Sequence, residues 1–289
     1  MKIVDFYGNG HSAISFEIFP PRTSTGIAGL EERLPQLISL APAFITVTYG
    51  ALGTEQGRTL EIASRIKNEY AMETAHHLTC VGSSREELTR TIEEIRRHNI
   101  ENIIALRGDP PRGDTLFVPP EDGYSHADQL VDHIRQIGGF GIGVAGYPEK
   151  HIEAPDLATD LQNLKRKVDN GADVIITQLY YDNSQFYRFV DYCRALDIDQ
   201  PIIPGLMPIL GIEQIKRITS MCGTTIPKLL LSQLEEAGND INKVHEIGIS
   251  HTANQALDLL SHGVPGIHFY VLNQYFHIAE IMERIKSAL

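Results

Sequence analysis

Short apolar runs alternate along this chain with amphipathic stretches of helical period. The runs are too continuously hydrophobic for strands with one wet face, so they indicate parallel strands covered by helices on both sides. The predicted strands are Ala13–Phe19, Ala43–Gly50, Ala75–Cys80, Asn102–Gly108, Ile142–Pro148, Asp173–Asp182, Ile202–Pro208 and Gly266–Asn273. The predicted helices are Gly29–Leu40, Thr59–Asn68, Arg85–His98, Ala127–Ile137, Leu157–Val168, Ser184–Ala195 and Ile212–Ser220.

Eight strands, each followed by helical material, predict an α/β fold, and specifically a closed (β/α)8 TIM barrel instead of an open doubly wound sheet. Extra helices are expected over 227–236 and 241–260, before the last strand. No Pro/Gly/Ser-rich linker divides the chain, so residues 1–289 are expected to form a single barrel domain.

In such a barrel, the polar residues that end the strands converge on one mouth, where the chemistry is found. The residues expected there are Glu17, Thr48, Tyr49, His77, Thr79, Arg107, Asp109, Tyr147, Gln178 and Gln274. Several independent strands thus end in groups that hydrogen-bond or ionise. A barrel with a purely structural task would have little reason for that arrangement.

Composition narrows the class of protein. Hydrophobic residues make up 42% of 289, enough for a large core, and the formal net charge of −12 argues against a nucleic-acid or anionic-membrane surface. Three widely spaced cysteines fit free thiols in a reducing compartment. The chain shows neither a secretory signal nor an apolar run of roughly 18 residues, so a soluble, cytoplasmic protein is expected.

The sequence lacks the motifs of several common classes of metal, hydrolase and nucleotide-binding sites. The twelve histidines show no zinc spacing, and His76 and His77 would point to opposite faces of a strand, so no metal site is expected. Neither a GxSxG elbow nor a Walker sequence is present. The glycines at 139–143 lack GxGxxG spacing and enter a strand, so any bound dinucleotide must lie at the barrel mouth.

Glu17 stands inside an apolar strand that two prolines end abruptly. A carboxyl near the end of a buried strand is expected to be desolvated, which favours its protonated form and suits it to donate a proton at neutral pH. The alternative is a structural ion pair between Glu17 and an arginine or lysine.

Two charged motifs accompany Glu17. Arg107, Gly108 and Asp109 end a predicted strand, where the glycine permits close approach of a ligand; a surface turn with a local ion pair is the alternative. The basic segment at 163–167 lies on a predicted helix. Its charge either faces solvent or lets Lys167 or a neighbour reach a phosphate, and the sequence leaves both possibilities open.

The chain resembles the bacterial-type methylenetetrahydrofolate reductases. The matching motifs run in family order through all eight predicted strands: Ser-Phe-Glu-Ile-Phe-Pro-Pro-Arg at 15–22, Val-Thr-Tyr-Gly-Ala at 47–51, His-Leu-Thr-Cys at 77–80, Ala-Leu-Arg-Gly-Asp at 105–109, Tyr-Pro-Glu-Lys-His at 147–151, Asn-Leu-Lys-Arg-Lys-Val-Asp at 163–169, Ile-Thr-Gln at 176–178 and His-Phe-Tyr-Val-Leu-Asn at 268–273.

The resemblance implies a barrel that holds FAD and reduces 5,10-methylenetetrahydrofolate to 5-methyltetrahydrofolate with NADH or NADPH. The nicotinamide and the folate would use the flavin in turn. Glu17 matches the general acid, and Asp109 matches an aspartate beside folate and flavin. The positions that match FAD contacts are Thr48, His77, Arg107, Gly108, Asp109, Ala127, Tyr147, His151, Ala154, Asp160, Asn163 and Lys167. The positions assigned to substrate are Glu17, Thr48, Asp109, Gln178, Gln214 and Gln274.

Three positions depart from the family pattern. His126 stands where a tyrosine is common beside the cofactor, Ile218 where an aromatic stacks on ligands, and Gln274 where an arginine is associated with the folate tail. The changes at Ile218 and Gln274 leave open a flavin- or folate-binding subunit that takes electrons from a partner protein. Another flavin barrel, such as a proline-dehydrogenase-like enzyme, is a further alternative. The resemblance also implies a homo-oligomer, dimer or tetramer, without a regulatory domain or control by S-adenosylmethionine. It does not decide between NADH and NADPH.

Overall fold

Every strand pairing is parallel in the computed structural model, which describes residues 1–8, 10–48, 56–109 and 117–289. The strand segments are β1 (Ala13–Ile18), β2 (Phe44–Val47), β3 (Thr74–Thr79), β4 (Asn102–Leu106), β5 (Gly141–Gly146), β6 (Val174–Thr177), β7 (Ile202–Ile203), β8 (Gly205–Leu206) and β9 (Gly266–Tyr270). Their order is β7-β6-β5-β4-β3-β2-β1-β9-β8. Because β7 and β8 are consecutive, the sheet closes on itself and the predicted (β/α)8 barrel is confirmed.

The seventh predicted strand is divided. Ile202 pairs with β6, whereas Gly205 pairs with β9, and Pro204 lies between the two halves. Proline has no N–H for a strand ladder, but its carbonyl still accepts from the backbone N–H of His268 at 2.9 Å. The prediction of one continuous strand over 202–208 is therefore wrong, while the position of this element in the barrel is right. The predicted end of β2, residues 49–50, lies outside the described residues.

All the predicted helices are present, with ends that differ by a few residues. The helices are α1 (Ser24–Ser39), α2 (Gln56–Asn68), α3 (Arg85–Arg97), α4 (Ala127–Ile137), α5 (Leu157–Asp169), α6 (Asn183–Ala195), α7 (Ile212–Cys222), α8 (Lys228–Ala237), α9 (Ile241–Ser261) and α10 (Tyr275–Ile285). Helix α1 begins before its predicted start because the Thr23 side chain caps it, accepting from the N–H of Gly26 at 3.1 Å. Helix α10 and a short 3-10 helix over Ile3–Phe6 were not predicted from the sequence.

The core has two layers separated by the strands. Outward-facing residues such as Phe16 and Leu78 pack against the helices that surround the barrel. Inside the barrel, Phe44 and Ile104 pack against Ile3 of the 3-10 helix, which closes the end opposite to the mouth. The floor of the barrel is therefore a packed apolar layer. Across the described residues, no helix combines the length and apolarity that a membrane crossing needs.

Asn102 ties this closing helix to the barrel. Its Oδ1 accepts from the backbone N–H of Ile3 at 2.8 Å, and its Nδ2 donates to Glu73 Oε1 at 3.1 Å. The side chain is buried, so removing it would leave the Ile3 N–H without its partner in an apolar environment.

We therefore predict that Asn102→Ala lowers the free energy of unfolding by about 1–3 kcal/mol, the usual penalty for an unsatisfied buried donor. Urea denaturation followed by circular dichroism measures the change. The control is Asn242→Ala on the exposed face of α9, where the stability should stay the same or rise slightly. Equal unfolding midpoints for Asn102→Ala and the parent would contradict the anchoring role.

Candidate active site

A cavity of about 360 Å³ opens at the carboxyl ends of the strands, where a barrel of this kind carries its site. Its volume lies within the range of roughly 300–1,000 Å³ that is common for small-molecule sites. Most of the wall is apolar, with a few groups that hydrogen-bond or ionise. The lining residues are Glu17, Ile18, Phe19, Thr48, His77, Ile104, Leu106, Arg107, Gly108, Asp109, Val144, Ala145, Tyr147, His151, Ile176, Gln178, Leu179, Met207, Tyr270 and Leu272.

Glu17 reaches this cavity from β1, and one of its oxygens is held by three neighbouring strands. Oε2 accepts from the Thr46 hydroxyl of β2 at 3.4 Å and lies 3.4 Å from Nε2 of His77 on β3. On the other side, Nε2 of His268 on β9 also lies 3.4 Å from Oε2. The side chain keeps 17% of its surface exposed, toward the cavity.

The protonation of Glu17 differs from its prediction. Burial alone would raise the pKa of the Glu17 carboxyl, but His77, His268 and the Thr46 hydroxyl outweigh burial and hold that pKa below its ordinary value. Burial lowers the pKa of His77 in turn, although Glu17 acts to raise it. Glu17 is therefore a carboxylate at neutral pH in the open site, and the predicted preference for its protonated form is wrong there.

The structural alternative for Glu17 is also wrong in its detail. Within the described part of the chain, the groups around the carboxylate are imidazoles and a hydroxyl, and no arginine or lysine pairs with it. The protonated form of an imidazole can give up a proton and its neutral form can take one, whereas an arginine side chain stays charged. The surroundings thus keep Glu17 available for proton transfer.

Asn273 fixes the backbone just after Glu17. Its Nδ2 donates to the carbonyl of Phe19 at 2.8 Å, and its Oδ1 accepts from the N–H of the same residue at 3.1 Å. Asn273 has a φ of 54°, in the left-handed region that asparagine tolerates better than most residues. This bidentate clamp joins the ends of β1 and β9 and sets where Phe19 lies at the mouth.

The Arg107-Gly108-Asp109 turn forms the opposite wall. Gly108 has a φ of 88°, and a Cβ there would lie 2.7 Å from Cγ2 of Val81, so both conformation and space require glycine. Thr79 contacts this turn and does not line the cavity, contrary to its predicted place. Asp109 is exposed at the mouth.

A second cavity of about 220 Å³ adjoins the first and shares Arg107, Tyr147 and His151 with it. Its walls are more polar and carry several charged groups. The lining residues are Ala105, Leu106, Arg107, His126, Ala127, Asp128, Ala145, Tyr147, His151, Glu153, Ala154, Pro155, Asp160, Asn163, Arg166 and Lys167. The two cavities together form an elongated site with a mainly apolar end and a charged end.

Lys167 supplies an unusual cation to the second cavity. Its Nζ donates to the carbonyl of Ala145 at 2.5 Å and lies 5.9 Å from the centre of the Tyr147 ring. Burial lowers the pKa of the Lys167 amine to about 8, and Asp160 and Asp128 only partly oppose this effect. An anionic ligand group beside Lys167 would restore its full charge.

Arg107 faces the same cavity but is already paired. Its two terminal nitrogens donate to the two carboxylate oxygens of Glu153, one of them at 2.8 Å. The Arg107 guanidinium also lies 5.2 Å from the centre of the Phe117 ring. The carboxylate of Glu153 thus occupies the side of Arg107 on which an anion would bind. Arg107 is ion-paired, but its partner is 46 residues away and the turn lines the cavity, so the alternative of a surface turn with a local ion pair is not what the structure shows.

The loop between β5 and α5 is held by its own side chains. Lys150, with a φ of 79°, donates from Nζ to the carbonyls of His151 at 3.0 Å and Ala154 at 2.5 Å. Asp160 Oδ2 accepts from the backbone N–H of His151 at 3.0 Å. The backbone that borders the second cavity is therefore fixed without any ligand.

Most of the predicted site residues come together in these two cavities. All twelve positions that match cofactor contacts line one cavity or both, as do Glu17 and Gln178. Gln214 and Gln274 are not among the described residues that line either cavity: Gln214 Oε1 accepts from the N–H of Leu210 at 3.0 Å, and Gln274 precedes α10 as its N-cap. The roles assigned to all these residues stay predictions, and Tyr49 lies outside the described residues.

Sequence reasoning missed several residues of the site. Glu153 lies two residues after a matching motif, and only its contact with Arg107 makes it notable. Tyr270 lies two residues after His268, so the alternation of a strand could have placed both inside the barrel. The Tyr270 hydroxyl donates to the carbonyl of Thr177 at 2.6 Å. Among the described residues, no group of three or more His, Cys, Asp or Glu side chains is placed to hold a metal ion.

Comparison with known proteins matches this chain to one enzyme family. A family model described as methylenetetrahydrofolate reductase matches residues 2–286. Methylenetetrahydrofolate reductase (NADH) 1 of Arabidopsis thaliana is 44% identical over 288 residues, which cover 94% of this chain and 49% of the plant protein. The 5,10-methylenetetrahydrofolate reductase of Escherichia coli K12 is 38% identical over 265 residues, which cover 92% of this chain and 88% of the bacterial protein. The chain thus spans about half the length of the plant relative.

Among solved structures, an uncharacterized protein from Clostridium thermocellum that binds two copies of 5-methyl-5,6,7,8-tetrahydrofolic acid aligns with a TM-score of 0.62. The alignment covers 96% of this chain and 94% of that one at 17% sequence identity, so it supports the barrel fold alone. The family model and the curated relatives cover nearly all of the sequence. The chain belongs to the methylenetetrahydrofolate reductase family.

Proposed function

We propose that this chain reduces 5,10-methylenetetrahydrofolate to 5-methyltetrahydrofolate, with NADH or NADPH as the electron donor and FAD as the bound cofactor. The observation that carries the proposal is the juxtaposition of Glu17 with a charged cavity that contains Arg107 and Lys167. Family membership and the named relatives support the folate substrate. The plant relatives carry NADH in their names, which favours NADH without deciding the question.

The residues present fit FAD. Its diphosphate requires cationic donors, and the second cavity offers Lys167 and Arg107, the latter after release from Glu153. The flat ring system requires an apolar slot, and the first cavity offers mainly apolar walls with Gly108 among its lining residues. When bound, FAD would supply the two-electron chemistry that connects the nicotinamide to the folate.

Glu17 would serve the folate half of the reaction. The bridged folate ring opens to an iminium that accepts hydride, and this opening needs a proton donor within hydrogen-bond reach. In the open site Glu17 is a carboxylate. A pterin ring that fills the cavity would cover the exposed part of the carboxyl and remove its water, which raises its pKa and loads it with a proton. Proton uptake would thus follow occupancy of the site.

Glu17 has no proposed role in the half-reaction in which the nicotinamide reduces the flavin. Hydride transfer from a nicotinamide needs no proton from a carboxyl, so this step depends on positioning at the mouth. The one cavity that holds Glu17 also holds Asp109 and Gln178, which would contact whichever ligand is present. Sequential use of one cavity by two ligands agrees with the alternating scheme that the family resemblance implies.

The two departures that motivated the alternatives lie away from the cavities. Ile218 lies on α7 and packs, partly buried, against a cluster of buried side chains that includes Leu230 and Leu234 of α8. Gln274 precedes α10. Neither is among the described residues that line the site. This placement weakens the argument for a subunit that depends on a partner for its electrons. The oligomeric state and the cytoplasmic location stay predictions.

We predict that the purified protein is yellow, that its flavin bleaches anaerobically with NADH or NADPH, and that methylenetetrahydrofolate restores the colour. Stopped-flow absorbance reads the two half-reactions separately. Turnover by the isolated chain would eliminate the partner-dependent alternative, and reduction by proline would favour the proline-dehydrogenase-like one. Flavin that bleaches but never recovers with the folate would overturn the substrate assignment.

For Glu17→Gln, we predict flavin reduction by the nicotinamide at the parent rate and folate reduction slower by roughly 10²–10⁴-fold, the usual contribution of a general acid. The amide has nearly the same shape but no transferable proton. Glu280→Gln, the same change at an exposed position of α10, should leave both half-reactions unaltered. Equal folate reduction by Glu17→Gln and the parent would remove Glu17 from its proposed role.

The pKa of Lys167 predicts how FAD binding depends on pH. Protonated Lys167 attracts the diphosphate, so the affinity for FAD is highest well below pH 8 and falls as the amine loses its proton through its pKa of about 8. The dissociation constant of FAD should rise roughly tenfold between pH 7 and pH 9, as measured by quenching of flavin fluorescence.

Lys167→Met should bind FAD more weakly and with a flat pH profile over this range. Lys165→Met is the matched control, because Lys165 lies on the same helix but pairs with Asp169 at 2.6 Å; it should keep the parent's profile. A slope that survives in Lys167→Met would assign the pH dependence to another group.

A further inference from the structure

The contacts of Glu17 are unequal at its two oxygens. In the described residues, Thr46, His77 and His268 all approach Oε2. This oxygen points to the barrel wall, whereas the carboxyl as a whole lines the cavity. Oε1 is therefore the oxygen left to meet a ligand, provided that the contacts at Oε2 stop the carboxyl from rotating.

His268 is the most rigidly held of the three partners. It is fully buried. The centre of its ring lies 6.5 Å from that of Phe44, with an interplanar angle of 24°, and 5.4 Å from that of Tyr270, with an interplanar angle of 88°. Tyr270 is itself fixed, because its hydroxyl donates to Thr177. The imidazole can therefore hardly rotate or move away from Glu17.

Ser15 engages the other nitrogen of this ring. Its Oγ lies 2.8 Å from Nδ1 of His268, and Ser15 is fully buried on β1, directly opposite His268 in the strand register. A neutral imidazole has one donor nitrogen and one acceptor nitrogen. When the Ser15 hydroxyl donates to Nδ1, the ring must carry its proton on Nε2, where it faces the Glu17 carboxylate.

A buried polar pair in the barrel interior costs free energy that an apolar pair would not. The apolar layer around Phe44 and Ile3 lies directly beneath, so apolar side chains are available to this part of the fold. The ring of His268 packs against Phe44 and Tyr270 as an apolar side chain could, so the polar nitrogens of the pair are explained by the hydrogen-bond donor that they place on Glu17.

We propose that His268, oriented by Ser15, is a positioning residue for Glu17: it anchors Oε2 so that Oε1 presents the transferable proton to the folate. This inference rests on the proposed function of Glu17. His268 does not touch the ligand, because it is fully buried and does not line the cavity. Its effect must therefore appear in how Glu17 works and not in how ligands bind.

Loss of the anchor has a definite sign. Without the donor from His268, the charged form of Glu17 loses a hydrogen bond, so the pKa of Glu17 rises. The pH at which folate reduction falls to half its maximum therefore moves to a higher value. The other titratable groups around this pair are His77 on β3, Tyr270 on β9 and Tyr7 of the N-terminal segment beside Ser15. These groups stay in place in every variant below.

The test uses the flavin-loaded protein and its two half-reactions over a range of pH. For Ser15→Ala and His268→Leu, we expect flavin reduction by NADH at the parent rate. Folate reduction should slow by roughly 10- to 100-fold, a part of the contribution of a general acid, and its pH midpoint should rise by roughly one unit. Ser15→Thr, which keeps the hydroxyl, should restore the midpoint.

Control variants distinguish a positioning role of His268 from structural damage, and they also distinguish failure of this inference from failure of the proposed function. His277→Leu removes a buried imidazole of α10 that lies outside both cavities, and it should change neither half-reaction. If His268→Leu fails to fold, Ser15→Ala decides the question alone, since it deletes a single oxygen.

Slow folate reduction with an unmoved pH midpoint would mean a merely structural role and would overturn the inference. The same conclusion holds if Ser15→Ala reduces folate like the parent while Glu17→Gln does not. A parent protein that never reduces the folate would refute the proposed function instead.

Discussion

The site depends on one carboxylate oxygen that has to be satisfied inside a barrel. Oε2 of Glu17 collects polar groups from three strands that neighbour β1 directly or through β2. A carboxylate in a packed interior is tolerated only with such partners, because desolvation otherwise drives it to its neutral form. The inward positions of β2, β3 and β9 therefore hold polar residues at the level where apolar ones would pack more simply.

The barrel itself could be predicted because each of its parts has a local signal. The strands are apolar runs, the helices carry caps such as the Ser84–Glu87 pair, and their alternation implies parallel pairing. The misses have different causes. The break at Pro204 depends on how the last strands close the sheet, which the local hydrophobic pattern does not contain. Helix α10 has a local signal that was missed, because Ile278, Ile281 and Ile285 recur at helical spacing.

Most members of the site were predictable from the sequence, whereas its electrostatics were not. The motifs around Arg107, Tyr147 and Lys167 are contiguous in sequence, and the barrel brings them to adjoining cavities. The lowered pKa of Glu17 depends first on His77 and then on His268, which lies 251 residues away, so the strand around Glu17 alone predicted the wrong direction. Glu153 was missed for the same reason, since its meaning comes from Arg107.

These contacts together suggest how an acidic protein would manage the proposed acid catalyst and the proposed anionic cofactor in one barrel. In the open site neither group is fully in the protonated form that its proposed role needs. Glu17 is ionised, and burial lowers the pKa of the Lys167 amine. Each would be restored by its own ligand, because a ring that excludes water would raise the pKa of the carboxyl and a phosphate would raise the pKa of the amine, so that each group takes up a proton from solvent. Reactivity would then arise only when the site is filled, which protects the open protein from carrying a buried acid and an unpaired cation at the same time.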